Sequence, residues 1–164
     1  MAELGLRESA PPHLLAYLTE HRISAEFIAP GVPMPTVASA AAAIGVPEEQ
    51  ILKTLLFIGD DSRYVVAIAN GTRKIARSLL AEASGIARPR AADPDAVLAV
   101  TGYRAGGVAP IALAPGVPVI VDEAVPVLPV VYGGGGVEHL LLRLDPADVV
   151  RLNNATVASI VERR

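Results

Sequence analysis

The sequence predicts one domain of the α/β (α+β) class, and three observations carry that expectation. The chain has 164 residues, enough for a single domain that buries a core without staples. Hydrophobic residues make up 52% of it, which excludes a mainly disordered chain. Helical segments opened by Pro, Thr or Asp interleave with short Val/Ile/Leu-rich strands along the whole length, with no internal repeat and no linker long enough to divide the chain.

Taken in order, residues 1–11 read as a flexible lead and residues 12–164 as the domain. Pro12 opens a helix with an apolar stripe of Leu14, Leu15 and Leu18. A short strand over 25–28 leads into the proline-rich link 30–35, after which Thr36 is placed to cap an alanine-rich helix over 37–44 that Gly45 ends. Pro47-Glu48-Glu49 starts a further helical turn. Residues 51–58, ILKTLLFI, form a buried strand, and Gly59-Asp60-Asp61-Ser62 turns it into a second strand over 63–69, a hairpin at the centre of the sheet. Thr72 can cap a helix running to about Ala83 with Gly85 behind it, and Asp93-Pro94 opens another that delivers the chain to a glycine-rich loop. Strands follow over 117–121 and 127–132, then four consecutive glycines, a helix opened by Asp145-Pro146, and a closing strand over 156–161.

Composition removes several classes of function. Aromatic residues are 4% of the chain, too few for a base-stacking platform that binds nucleic acid. The absence of cysteine excludes a disulfide framework, a thiolate zinc site and a thiol nucleophile. The N-terminal segment MAELGLRESAPP is not a signal peptide, and no apolar run approaches the roughly 18 residues of a membrane span, so a cytoplasmic protein with no membrane partner is expected. A net charge of −3 gives no global attraction to DNA or RNA, so such contact must be local.

Four features carry chemistry. Lys53 shares a strand face with Leu55 and Phe57; it is either an edge lysine whose ammonium snorkels to water or a cation aimed into a cleft. The stretch TGYRAGGVAP, residues 101–110, holds three glycines ahead of a rigid proline, which suits either a plain turn or a concavity of N–H groups for an oxyanion. The run Gly133 to Gly136 is either a hairpin tip or a second place where backbone approaches a ligand. Between Gly71 and Arg90 lie five basic residues, Arg73, Lys74, Arg77, Arg88 and Arg90, against one acid, Glu82. That is either a solvated face or a phosphate-contacting surface. No G-x-S-x-G elbow or H-E-x-x-H pair is present, the glycine run lacks the Lys and hydroxyl of a P-loop, and His13 and His21 read as surface residues.

The order of motifs, Thr36 with its alanine-rich helix, QILKTLLF, TGYRAGGVAP, VDE, GGGGVEHLL and a DP-initiated helix, resembles the YbaK and prolyl-tRNA synthetase-associated editing-domain family over residues 13–162. The strand lysine of I-x-K-T-L and the loop G-Y-x-x-G-x-V-x-P are the most telling. The resemblance implies a mixed sheet flanked by helices and hydrolysis of the ester of mischarged aminoacyl-tRNA. It places the essential lysine at Lys53 and the G-x-x-x-P loop at Gly106 to Pro110, so Lys53, Gly106 and Gly107 become the catalytic candidates. Thr36, Gly102, Val108, Pro110, Gly134, Gly135, Gly136 and His139 become substrate-binding candidates, His139 being equally a sheet-end structural residue. The basic residues Arg73, Lys74 and Arg77 become tRNA contacts.

An aminoacyl ester is already activated, so an enzyme need only hold it, admit water and stabilise the oxyanion. No metal or other cofactor is implied. The implied partners are mischarged aminoacyl-tRNA and, as a second candidate, a prolyl-tRNA synthetase; DNA is not among them. The chain departs from many relatives at Ala105 and Ala109, and from Cys-specific ones at Val137 and Glu138, which leaves the amino acid open among small residues such as Ala and Cys. A non-catalytic module that binds charged tRNA or a synthetase is the alternative reading.

Overall fold

The computed structural model describes residues 7–163. Helix α1 (Pro12–Glu20) precedes strand β1 (Glu26–Ile28), and α2 (Val37–Ile44) is followed by a 3-10 turn (Glu48–Gln50). The hairpin β2 (Leu52–Ile58) and β3 (Tyr64–Asn70) leads to α3 (Arg77–Ser84), β4 (Arg90–Ala91) and α4 (Pro94–Thr101). The chain then runs through β5 (Val119–Asp122), β6 (Val131–Gly134), β7 (Leu141–Leu144), α5 (Pro146–Leu152) and β8 (Thr156–Ala158). The elements form two sheets. A mixed five-stranded sheet has the order β4-β2-β3-β5-β8, and an antiparallel three-stranded sheet has the order β1-β7-β6.

The hairpin predicted at the centre is there, and its sequence shows why. Along β3 the apolar residues run without interruption because both faces of the large sheet are covered. Val66 and Ile68 join the main core with Leu14 and Leu18 of α1, Val97 of α4 and Val149 of α5. Val65 and Ala67 point the other way, onto Leu80 of α3 and Ile160. The helix boundaries follow local chemistry. The Thr36 hydroxyl accepts from the Ser39 N–H at 3.0 Å while the Ser39 hydroxyl accepts from the Thr36 N–H at 2.9 Å, and Gly45 closes the helix in the left-handed region. Asp93 and Asp145 cap α4 and α5 by accepting from Ala96 N–H and Ala147 N–H.

Three expectations are corrected. The helix after β3 begins at Arg77, not after Thr72. Residues 73–76 are held extended by the C-terminal segment, through Ala76 N–H to Ile160 O and Glu162 N–H to Lys74 O, both 2.8 Å. The strand predicted over 127–132 is displaced to Val131–Gly134, since Pro126 and Pro129 donate no N–H and the turns closed by Val125 and Leu128 N–H occupy residues 122–128. The flexible lead predicted over 1–11 does not extend to its end: Ala10 is buried in the main core. Residues 1–6 of that lead lie outside those described. Asp122, from the VDE motif, is buried with its carboxylate accepting from Ala124 and Ile160 N–H at 3.0 Å, which fixes the C-terminal segment to the sheet.

Candidate active site

Strand β2 is paired along its full length with β3, but its other edge is only partly covered. There β4 reaches Phe57 and Ile58, and β6 touches Ile51 through Tyr132. Between these contacts, at residues 53–55, the edge borders a cleft of about 260 Å³ whose walls include Thr36, Lys53, Thr54, Gly106, Val108 and Gly134. At Met34, Pro35, Gly106 and Glu138 the cleft meets a groove of about 690 Å³ beneath the proline-rich link, where His139 lies on the rim.

Lys53 is half-buried, and its ammonium donates to the Arg73 carbonyl. Burial holds its pKa below the ordinary lysine value, because the charged form loses hydration there. No carboxylate pairs with it among the described residues. Next to it the Thr54 hydroxyl is buried with no hydrogen-bond partner among the described residues, the kind of polar group that native interiors rarely leave unmatched. Thr36 lines the cleft, but its hydroxyl is engaged in the cap of α2.

The loop over 104–110 is pinned at both ends. Thr101 Oγ1 accepts from Tyr103 N–H at 3.1 Å, and the buried Tyr103 hydroxyl donates to Ile111 O at 2.9 Å. Burial pushes that phenol well above the usual tyrosine range. The two glycine-rich stretches, read separately in the sequence, pack on one another. A Cβ on Gly107 would lie 2.8 Å from Val137 Cα, and one on Gly134 would strike the Val108 carbonyl. The four-glycine run enters the β6–β7 hairpin: Gly133 and Gly134 belong to β6, Gly135 N–H extends the ladder by donating to Leu140 O at 2.9 Å, and Gly136 alone of the four lies in the tip over 136–139.

The cradle reading of Gly106-Gly107 is altered as well. Gly107 is buried and its N–H already donates to Arg104 O at 3.0 Å, in a turn. Gly106 is exposed, adopts φ of +90° and borders both the cleft and the groove, so it alone of the pair faces them. Other candidates lie away from the cleft. Gly102 caps α4 beside His13, and Pro110 is buried against Gly133 with its carbonyl accepting from Asn153 Nδ2 at 2.7 Å. Gly135 and Gly136 face Leu140 and Pro11.

The basic run does not form one patch. Arg73 is half-buried with Nη2 on Glu162 O at 2.7 Å, while Lys74 and Arg77 are exposed. Arg88 and Arg90 sit at the opposite end of β2, about 17 Å along the strand from Lys53, and both pair with Asp60, at 2.6 and 3.2 Å. Sequence reasoning missed Thr54 and Glu138 as site residues. Alternation in a strand separates Thr54 from Lys53, and only a cleft that wraps the strand edge brings both to one place. Glu138 carried a signal in its adjacency to His139 after the glycines.

The two-sheet α/β fold is shared with a solved candidate trans-editing enzyme, and the chain carries the sequence pattern of an aminoacyl-tRNA editing domain over residues 32–152. The chain belongs to the aminoacyl-tRNA editing domain family and is a hydrolase acting on ester bonds. Among its relatives is EbsC of Enterococcus faecalis, a candidate Cys-tRNA(Pro)/Cys-tRNA(Cys) deacylase, 27% identical over 125 residues, which are 76% of each chain. The YwhH protein of Bacillus subtilis is 31% identical over 114 residues, 70% of this chain and 72% of that one. A solved candidate trans-editing enzyme for prolyl-tRNA synthetase superposes with a TM-score of 0.82 at 26% identity, covering 94% of this chain and all (100%) of the other. A solved hypothetical protein gives 0.83 at 31% identity over 92% of this chain and 99% of its own. Among the described residues no helix is long and apolar enough to cross a membrane.

Proposed function

We propose that this protein acts in trans on tRNA-Pro carrying a small amino acid such as Ala or Cys, cleaving the ester in the cleft beside β2. The observation that carries the reading is the convergence of Lys53, Gly106, Val108 and Gly134, from three separate stretches of the chain, on one small cleft. Water adds to the ester carbonyl carbon, the carbonyl oxygen gathers negative charge, and the ribose oxygen departs with a proton, leaving free amino acid and tRNA. Gly106 gives the loop a close backbone approach to the carbonyl oxygen. Lys53 supplies a point charge for the ester oxygen or the terminal nucleotide. The substrate's own neighbouring ribose hydroxyl positions the water, which is why no side-chain general base is required. Arg73, whose carbonyl accepts from Lys53, and the neighbouring Lys74 and Arg77 are assigned to the tRNA backbone, and a prolyl-tRNA synthetase is the proposed source of the mischarged tRNA in the cytoplasm.

The test is a deacylation panel with tRNA-Pro charged with Pro, Ala, Cys and Ser. At least one small-residue substrate should lose its amino acid faster than in buffer while Pro is spared by size. If none does but charged tRNA still binds, the protein is a binding module. If neither occurs, the site has another ligand.

A further inference from the structure

We propose that Glu138 binds the α-ammonium group of the aminoacyl ester, so that the enzyme selects a free amino terminus; the assignment rests on the deacylase reading above. Glu138 borders the cleft, the groove beneath the proline-rich link, and a further groove of about 590 Å³ beyond the Gly106-Gly107 turn. Lys53 and Glu138 are the charged side chains on the cleft wall. Among the described residues neither makes an ion pair. An aminoacyl-tRNA end presents the complementary set: phosphate and ester oxygens of negative character, and one ammonium.

The spacing fits as well. A Cβ built on Gly106 would stand 2.9 Å from Glu138 Oε1 and 3.3 Å from its Cγ, so the carboxylate lies directly over the loop backbone and uses the room that glycine leaves. In an α-amino ester the carbonyl oxygen and the α-nitrogen are roughly 3 Å apart, as standard bond lengths require. A carbonyl oxygen held at Gly106 therefore brings the ammonium within reach of a charge-assisted hydrogen bond to Glu138. Its other charged surroundings, Arg104 and Asp95, line the groove beyond the turn, and His139 follows it in the chain.

The experiment uses Glu138→Gln, which keeps shape and removes charge, with alanyl-tRNA-Pro and N-acetyl-alanyl-tRNA-Pro in single-turnover deacylation. Binding is measured in parallel with adenosine carrying a 3′-amide-linked alanine and with its N-acetyl counterpart. Wild type should prefer the free amine in both assays. Glu138→Gln should slow the free-amine substrate about 10- to 100-fold, far more than the acetylated one, the scale of one lost charge-assisted hydrogen bond. Equal slowing of both substrates, or none, overturns the assignment, as does a wild type that binds both analogues alike. A wild type that cleaves neither substrate but binds the free-amine analogue selectively, and loses that selectivity as Glu138→Gln, supports Glu138 and overturns the deacylase reading instead.

Discussion

The two ends of the β2–β3 hairpin contain glycine, charge and tight packing, yet they use them differently. At the turn end, Gly59 has no room for a Cβ beside Ile86 and the Ala87 carbonyl, and the charges are matched. Arg63 pairs with Asp61 at 2.8 Å, and Arg88 and Arg90 share Asp60. At the open end, Lys53 rests on a carbonyl, and among the described residues Glu138 makes no ion pair and the buried Thr54 hydroxyl has no hydrogen-bond partner. Glycine alone therefore does not mark a site. What separates the two ends is whether the polar groups satisfy one another, since groups left unmatched in a partly dry cleft gain most from a ligand.

The strongest way to break that contrast is Lys53→Ala. Turnover of a mischarged tRNA should fall roughly 100- to 1,000-fold, the scale seen when one transition-state contact is removed, with the thermal midpoint little changed. Rates near wild type, or an unfolded variant, would reduce Lys53 to a packing residue. Within the loop, two neighbouring substitutions sharpen the comparison. Gly107→Ala forces a methyl against Val137 backbone and should cost about 1–3 kcal/mol in urea denaturation, with the rate per folded molecule nearly kept. Gly106→Ala meets a positive φ and the Glu138 carboxylate; its stability cost should be about 1–2 kcal/mol, but its rate should fall more than that of Gly107→Ala.

The charge clusters give a smaller effect. Reversing Lys74 and Arg77 together should weaken tRNA binding several-fold and reduce the salt slope of log K by about 1.5, whereas reversing Arg88 and Arg90 should change the slope less because Asp60 already engages them. Equal slopes for the two double variants would erase the distinction between the ends. The smallest expected signal is in pH. Since burial lowers the folded-state pKa of Lys53, buffer-corrected turnover should decline as pH rises through that lowered value. Stability should rise over the window between it and the ordinary lysine value, because the unfolded chain binds the extra proton there. Lys53→Ala should remove both slopes, as followed by paired rate and urea-midpoint profiles.

Much of the fold was legible in the sequence because its signals are local. The Thr36 cap, the Asp93-Pro94 and Asp145-Pro146 openings, and Gly45 and Gly85 at helix ends act over three or four residues, and all stand where they were expected. The unbroken apolar run of β3 likewise announced a central strand. Tertiary structure decided the rest. The start of α3 depends on pairing between residues 73–76 and 160–162, and the shift of β6 brings Gly133 against Pro110 and Gly134 against Val108. For the same reason the sequence could name Lys53 and both glycine stretches but could not tell that Gly106 faces the cleft while Gly107 packs, nor that Thr54 and Glu138 share it. Those assignments come from contacts between residues about 30 to 90 positions apart, which no local propensity encodes.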